Sequence, residues 1–246
     1  MIYNSFRLAI FEIQKRSLNT YAGWTWSLMN PLAQMAILYF IMNFVFKSDI
    51  ENMTLWLISS LTSWIIIQTA LLKSCQSLVS RRALMQNNNI SSFLLVMADI
   101  LSEVLVLAPF YIIGIIVSIY NGISLFNLMF IPVLFLFLIV FLFGLGLILA
   151  TLTPILRDLP YLLGIVLQVA FWLTPIAYAK THMTGVAAII VTLNPFTHFI
   201  LLSQAVFMGK QLTFSLFLIP FLLAGTALII GILLSNSLGK KTVISL

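Results

Sequence analysis

Charge is what this sequence has least of. Only 7% of its 246 residues are Asp, Glu, Lys or Arg, against roughly 25% in a typical soluble domain. With 62% hydrophobic residues, a soluble fold of this length has too little polar surface to cover its apolar side chains. Lipid is therefore the solvent for most of the chain. Cysteine is nearly absent as well, and the lone Cys75 excludes an intrachain disulfide and a cysteine-rich metal site. No GxxxxGK[ST] loop is present, so the chain does not grip a nucleotide in that way. Met1–Thr20 is too polar, and lacks the apolar core, for a cleavable signal peptide. His182 and His198 stand sixteen residues apart without an acid pair beside them, which makes no metal site. Acids are scarcer than bases, six against twelve. The resulting charge of +6 would suit nucleic acid, but bases scattered between apolar runs are the pattern of membrane topology.

What is present is a series of apolar runs, at about 24–46, 55–72, 100–119, 128–152, 161–178 and 212–234. Each is close to or above the length needed to cross ~30 Å of hydrocarbon at ~1.5 Å per residue. The expected fold is an all-α integral membrane protein, one transmembrane domain over 1–246 with six spans. Residues 1–20 place Ile2, Phe6, Ala9, Ile10 and Ile13 on one helical face and Glu12, Lys15 and Arg16 opposite. That is an amphipathic helix on the membrane surface, its basic side toward the cytoplasm. Trp24 and Trp26 suit an interfacial belt, and Asn30-Pro31 predicts a break one turn into the first span. Residues 73–99, with Arg81-Arg82 and the run Gln86–Asn89, form a cytoplasmic loop in which Leu78, Leu84, Met85 and Ile90 make one face of a short helix. The third span is interrupted by Glu103 near its inner end and Pro109 at its middle, and Asn121-Gly122 closes a tight turn after it. Gly144 and Gly146 allow close helix contact in the fourth.

After Tyr178, the short runs Val186–Leu193 and Phe196–Met208 flank Asn194-Pro195. They form either one broken span or a re-entrant hairpin, 186–208, on the outer side. Six spans with both termini cytoplasmic put Arg7, Lys15, Arg16, Lys73, Arg81, Arg82, Arg157, Lys240 and Lys241 inside, and only Lys47, Lys180 and Lys210 outside. A seventh span would move Lys240 and Lys241 out and weaken this bias, so six is the expectation. Asp99 and Glu103, four residues apart near the inner interface, fit pairing with Lys or Arg, or capping of the span, better than a proton relay.

The fifth run begins at the polar corner Arg157-Asp158-Leu159-Pro160. It then carries Gln168, Phe171, Trp172 and Thr174-Pro175 within eighteen residues, Tyr161 to Tyr178. Read as one helix, it puts Gln168, Phe171, Trp172 and Pro175 on one face; Asn30, Gln34 and Ile37 lie similarly on the first span. Aromatic planes beside amides suit sugar rings and their hydroxyls. The same stripe also fits ordinary hydrogen bonding between helices, and spacing does not choose between them.

Two stretches, YAGWTWSLMNPL (Tyr21–Leu32) and LRDLPYLLGIVLQVAFWLTPIAY (Leu156–Tyr178) followed by LNPF (Leu193–Phe196), resemble the membrane subunit of ABC exporters of polysaccharides such as O-antigen, capsule and teichoic acid. The resemblance implies a homodimer in the inner (plasma) membrane with two copies of a separate ATPase beneath. That ATPase would hold ATP and magnesium, and this chain would bind no cofactor of its own. It implies a substrate path along spans one and five, here Asn30, Gln34, Gln168, Phe171, Trp172 and Tyr178. ATPase coupling would fall to Arg7, Lys15, Arg16, Arg81, Arg82, Arg157 and Asp158, and an outer gate to Asn194, Pro195 and His198. The family's long cytoplasmic loop often carries a proline and basic-aromatic residues, where this chain has Gln86–Asn89. The rival functions are an ABC exporter of a drug or lipid, an ion-coupled transporter and a membrane scaffold. No partner among these is nucleic acid.

Overall fold

A computed structural model describes residues 2–17, 25–48, 50–83, 85, 91–180 and 183–245, without side-chain detail at 2, 17 and 239–245. Trp24, Leu84, the run Gln86–Asn89, Ile90, His182 and the Lys240 and Lys241 side chains lie outside the described residues, as does the start of the YAGWTW stretch. The order is α1 (Ile2–Ser17), α2 (Trp26–Phe40, continued by a π-helical turn over Ile41–Val45), α3 (Met53–Ser80), α4 (Ser92–Tyr120), α5 (Leu125–Leu128), α6 (Ile131–Leu152), α7 (Leu159–Trp172), α8 (Gly185–Leu193), α9 (Pro195–Phe207) and α10 (Phe214–Ser245). Five segments are helical, long and apolar enough to cross a membrane: Trp26–Val45, Met53–Ser80, Ser92–Tyr120, Leu125–Leu152 and Phe214–Leu238. This is a multi-pass, all-helical membrane protein among the described residues.

The centre of the bundle is α3. Twenty of its 28 residues are buried, and α2, α4, α6, α7 and α9 all pack on it. Its serines make it possible, because small side chains let neighbouring helices approach and hydroxyls bond across the interface. Ser63 Oγ lies 2.7 Å from Tyr111 Oη of α4 and donates to Ser203 Oγ of α9 at 3.0 Å, while Ser203 Oγ donates to the Ser59 carbonyl at 2.8 Å. On the far side α6 meets α10 backbone to backbone. A Cβ added to Gly144 would stand 2.3 Å from the Ala227 carbonyl carbon, and one on Gly231 would stand 2.4 Å from the Gly144 oxygen. Glycine at Gly144 permits the contact its spacing suggested.

Three expectations change. Much of the segment 73–99 is helix, because α3 runs eight residues past Leu72 and α4 begins at Ser92, N-capped by the Ser91 side chain. The polar letters of Lys73–Ser80 suggested a loop, yet Ser74, Cys75, Ser77 and Leu78 are buried in the bundle, and Ser80 Oγ donates to the Gln76 carbonyl at 2.8 Å. The connection shrinks to about 81–91. Neither Pro31 nor Pro109 breaks its helix; each removes a single backbone bond, and the remaining intrahelical bonds carry the helix past it. Finally, the fifth helix ends at Trp172, at 14 residues, so at ~1.5 Å per residue it falls short of Tyr178. Pro175 is where it cannot continue, having no N–H to give and a ring that crowds the preceding turn.

Candidate functional site

The basic end of the bundle is built on α1. Ser5, Ala9, Glu12 and Arg16 recur at i, i+4, i+7 and i+11, one helical face; Ser5 and Ala9 are buried and Glu12 and Arg16 half-buried, with α1 packed on α4. A face that mixes both sides of this amphipathic helix thus turns into the protein, while Lys15 and the apolar Tyr3, Phe6, Ile10 and Phe11 stay exposed. There its own Glu12 and Arg16 complete a cluster of three cations and three anions with Lys73, Arg81, Asp99 and Glu103. Arg81 Nη1 and Nη2 donate to the two oxygens of Asp99 at 2.9 and 2.6 Å, a bidentate pair, and Arg81 Nη2 lies 3.1 Å from Glu12. Lys73 Nζ lies 3.7 Å from Asp99 and 3.4 Å from Glu103, and donates to Ser102 Oγ at 2.6 Å. Arg16 pairs with Glu103.

Asp99 and Glu103 are buried, and such carboxylates stay charged only where cations and donors replace water. Burial alone would lower the pKa of Arg81; hydrogen bonds and charge from Asp99, joined by Glu12, outweigh it and raise the guanidinium above its ordinary value. The acids are therefore paired, as their position suggested. Three of the chain's six acids serve to fasten α1 to the ends of α3 and α4.

The opposite end is built on the irregular stretch Leu173–Ala179. Thr174, Pro175, Ile176 and Ala177 are buried without helical hydrogen bonding, which at membrane depth is tolerable only where protein supplies partners. It does. Trp56 Nε1 donates to the Ile176 carbonyl at 2.7 Å and Gln204 Nε2 to the Pro175 carbonyl at 2.9 Å. Asn194 caps α9 by accepting from the Phe196 N–H at 3.1 Å, and its Nδ2 donates to Thr174 Oγ1 at 2.9 Å. The LTPIAY and LNPF stretches are thus parts of one junction, tying the end of α7 to the bend between α8 and α9, whose axes differ by 87°. Pro195 opens α9 at a position that needs no N–H, and His198 Nε2 lies 3.0 Å from the Thr192 carbonyl across the bend. Lys210 sits 4.5 Å over the Trp56 ring, and burial lowers its pKa. Trp56 and Gln204 were not among the predicted site residues, although a glutamine inside an apolar run was a signal for the second.

Between these ends, α2 and α7 are left uncovered. In α2 only Pro31 and Leu38 are buried, and in α7 only Leu167. Asn30, Gln34, Gln168 and Trp172 are exposed. Phe171 turns the other way, half-buried with its ring centroid 5.8 Å from that of Trp64. The outward stripe of α7 is therefore Tyr161, Ile165, Gln168 and Trp172. Tyr178, half-buried, donates to the Trp172 carbonyl at 3.0 Å. Together with Lys47, Ser48 and Phe46 beyond α2, Trp172 and Tyr178 line a cleft of about 450 Å³. At the basic end, Arg7, Lys15, Arg82, Arg157 and Asp158 are exposed, whereas Arg16 and Arg81 are committed to the cluster.

No known family model matches the chain. Two O-antigen export system permease proteins RfbA of Klebsiella pneumoniae are 27% and 25% identical to it over 229 residues, 92% of this chain and 88% of each relative. A third, from Myxococcus xanthus, is 23% identical over 207 residues, 82% of the chain and 78% of that relative. The chain resembles the permease of an ABC exporter of O-antigen. The matched length takes in most of the bundle, so the likeness concerns the membrane domain as a whole and suits a transport subunit rather than an enzyme. Among the described residues no group of three or more His, Cys, Asp or Glu is placed to hold a metal ion.

Proposed function

We propose that this chain is the path-forming subunit of an ATP-driven ABC exporter that moves a lipid-linked polysaccharide such as O-antigen out of the cytoplasm across the inner membrane. Two copies face one another, two copies of a separate ATPase with ATP and magnesium bind at the basic end, and both termini are cytoplasmic. The observation that carries the reading is the pair α2 and α7, uncovered within one chain and bearing Asn30, Gln34, Gln168 and Trp172 outward. A glycan crossing hydrocarbon unaided loses several kcal/mol for each unmade hydrogen bond; amides and aromatic planes along a protein-lined path replace those bonds. The cleft beside Trp172 and Tyr178 then lies at the outer mouth, with α8 and α9 as its gate and Asn194 as the tie between gate and path.

On the inner side the ATPase acts on α1 and the 81–91 connection, with Arg7, Lys15, Arg82, Arg157 and Asp158 as the charges open to it. The cluster of Arg16, Arg81, Asp99 and Glu103 passes its movement to α3 and α4. A ligand-driven shift needs a difference in affinity between two states, and the ATPase supplies it by binding and hydrolysing ATP. Asp99 and Glu103 are held in ion pairs with Arg16, Lys73 and Arg81, and the proposed drive is ATP rather than an ion gradient. Purification of the chain in mild detergent tests the reading. A two-plus-two complex with an ATPase is expected, with glycan accumulating inside when that ATPase is inactivated. A chain that transports alone, with no ATPase present, would overturn it.

A further inference from the structure

At the end away from the charge cluster, α2 and α7 both leave regular helix, and they do so against each other. Past Phe40, α2 widens into the π-helical turn Ile41–Val45, where the Phe46 N–H donates to the Ile41 carbonyl at 3.0 Å, five residues back. A π turn holds one more residue than the α turn it replaces, and such turns gather at functional sites. Among the described residues this is the only one. Packing does not impose it, since no residue of the turn is buried. Asn43 Nδ2, donating to the Tyr39 carbonyl at 3.0 Å, ties it from within. Just beyond, Lys47 takes a left-handed φ of 46°, as does Asn52 before α3 at 50°, a region that few residues other than glycine adopt.

The turn makes one wall of the cleft of about 450 Å³. Met42, Phe46 and Lys47 line it on this side, Trp172 and Tyr178 on the other. Met42 is half-buried against the core and fixes the near part of the turn, whereas Phe46 beyond it is exposed. Passing from π to α with no residue lost advances everything beyond the turn by one position, a rotation of about 100° and a shift of ~1.5 Å along the axis. Phe46 then swings out of the cleft while α3 and α7 stay in place. The left-handed residues Lys47 and Asn52 are where the chain takes up that rotation. Contact with lipid alone gives no reason for the rarer form of the turn.

We infer that this turn is a register switch for the cleft. In the π form it keeps Phe46 in the cleft beside Trp172 and Tyr178; in the α form it withdraws the ring and widens the mouth. This rests on the reading of the cleft as the outer mouth of an export path. The test is a thiol cross-link between Phe46→Cys and Ala179→Cys, two positions that line the cleft, in full-length protein carrying Cys75→Ser. It is formed in nanodiscs with the protein alone and with its ATPase attached and trapped by a non-hydrolysable ATP analogue. Peptide masses from the uncrosslinked-size band of a denaturing gel report the bridge within one chain. The bridge is expected in the protein alone and is lost in the trapped complex. Deleting Asn43 removes the extra residue, so the turn is α-helical with Phe46 still in the cleft. The bridge then survives trapping and glycan export stops, at an unchanged melting temperature. Asn43→Leu keeps the length, removes the amide tie and favours the α form, so the bridge is lost even in the protein alone; this variant carries the test where the deletion does not fold. A bridge equally strong with and without trapping overturns the switch. So does a loss on trapping that the deletion leaves unchanged, or a bridge retained in Asn43→Leu. If no ATPase joins the chain, the exporter reading fails, while Asn43→Leu, which needs neither ATPase nor glycan, still decides the turn.

Discussion

Helices α3 and α7 are both apolar, and they do opposite things. α3 carries more buried hydroxyls than any other helix and is almost entirely enclosed, whereas α7 is shorter, shows all but one residue at least partly, and holds its amide and tryptophan outward. In water the more polar helix would be the exposed one. In lipid the order inverts, because a hydroxyl that finds a partner on a neighbouring helix is better placed inside than against hydrocarbon. An amide facing outward from α7 therefore has no place in a lone chain in lipid, and marks a surface meant for something other than lipid. The contrast separates what holds the bundle together from what it presents.

Substitutions around α3 should cost stability and those on α7 should cost transport, in the following order of stability loss. Asp99→Ala removes the anion shared by Arg81 and Lys73 and leaves buried charge uncompensated, a loss of about 3 kcal/mol or more; thermal unfolding in detergent reads it. Gly144→Val forces α6 from α10 and should cost about 2 kcal/mol, seen as a lower melting temperature. Ser63→Ala breaks the links to Tyr111 and Ser203 for about 0.6 kcal/mol. Gln168→Leu combined with Trp172→Ala should leave unfolding within about 0.5 kcal/mol while glycan export falls, measured as glycan retained inside cells. If that pair lowers stability as Gly144→Val does, the two helices do not divide the work and α7 belongs to the core.

Much of this architecture was legible in the sequence. Apolar runs marked the long helices, and positions of scarce charge separated the basic end from the other. Asp99 and Glu103, four residues apart near an interface, announced their pairing, though not the partners, because Arg16, Lys73 and Arg81 come from two other segments and only the fold brings them together. Lys73–Ser80 was misread because serine and lysine at the end of an apolar run look the same whether water or another helix receives them. The fifth helix was overdrawn for a related reason. Nothing local says that the carbonyls of Pro175 and Ile176 are satisfied by Gln204 and Trp56, residues 29 and 120 positions away, so an unbroken helix was the only local way to satisfy them. Phe171 was assigned outward on that same helical face, and the attraction of Trp64 could not be seen from spacing.

The cluster at the basic end has as many positive as negative groups, Arg16, Lys73 and Arg81 against Glu12, Asp99 and Glu103. Carrying one unpaired charge across the full membrane potential costs ~2.3 kcal/mol per 100 mV. The six charges of the cluster cancel, so the cluster itself adds no net gating charge. Under the proposed function, a movement of the cluster does almost no electrical work, and membrane voltage acts instead on the exposed bases beside it, Arg7, Lys15 and Arg82.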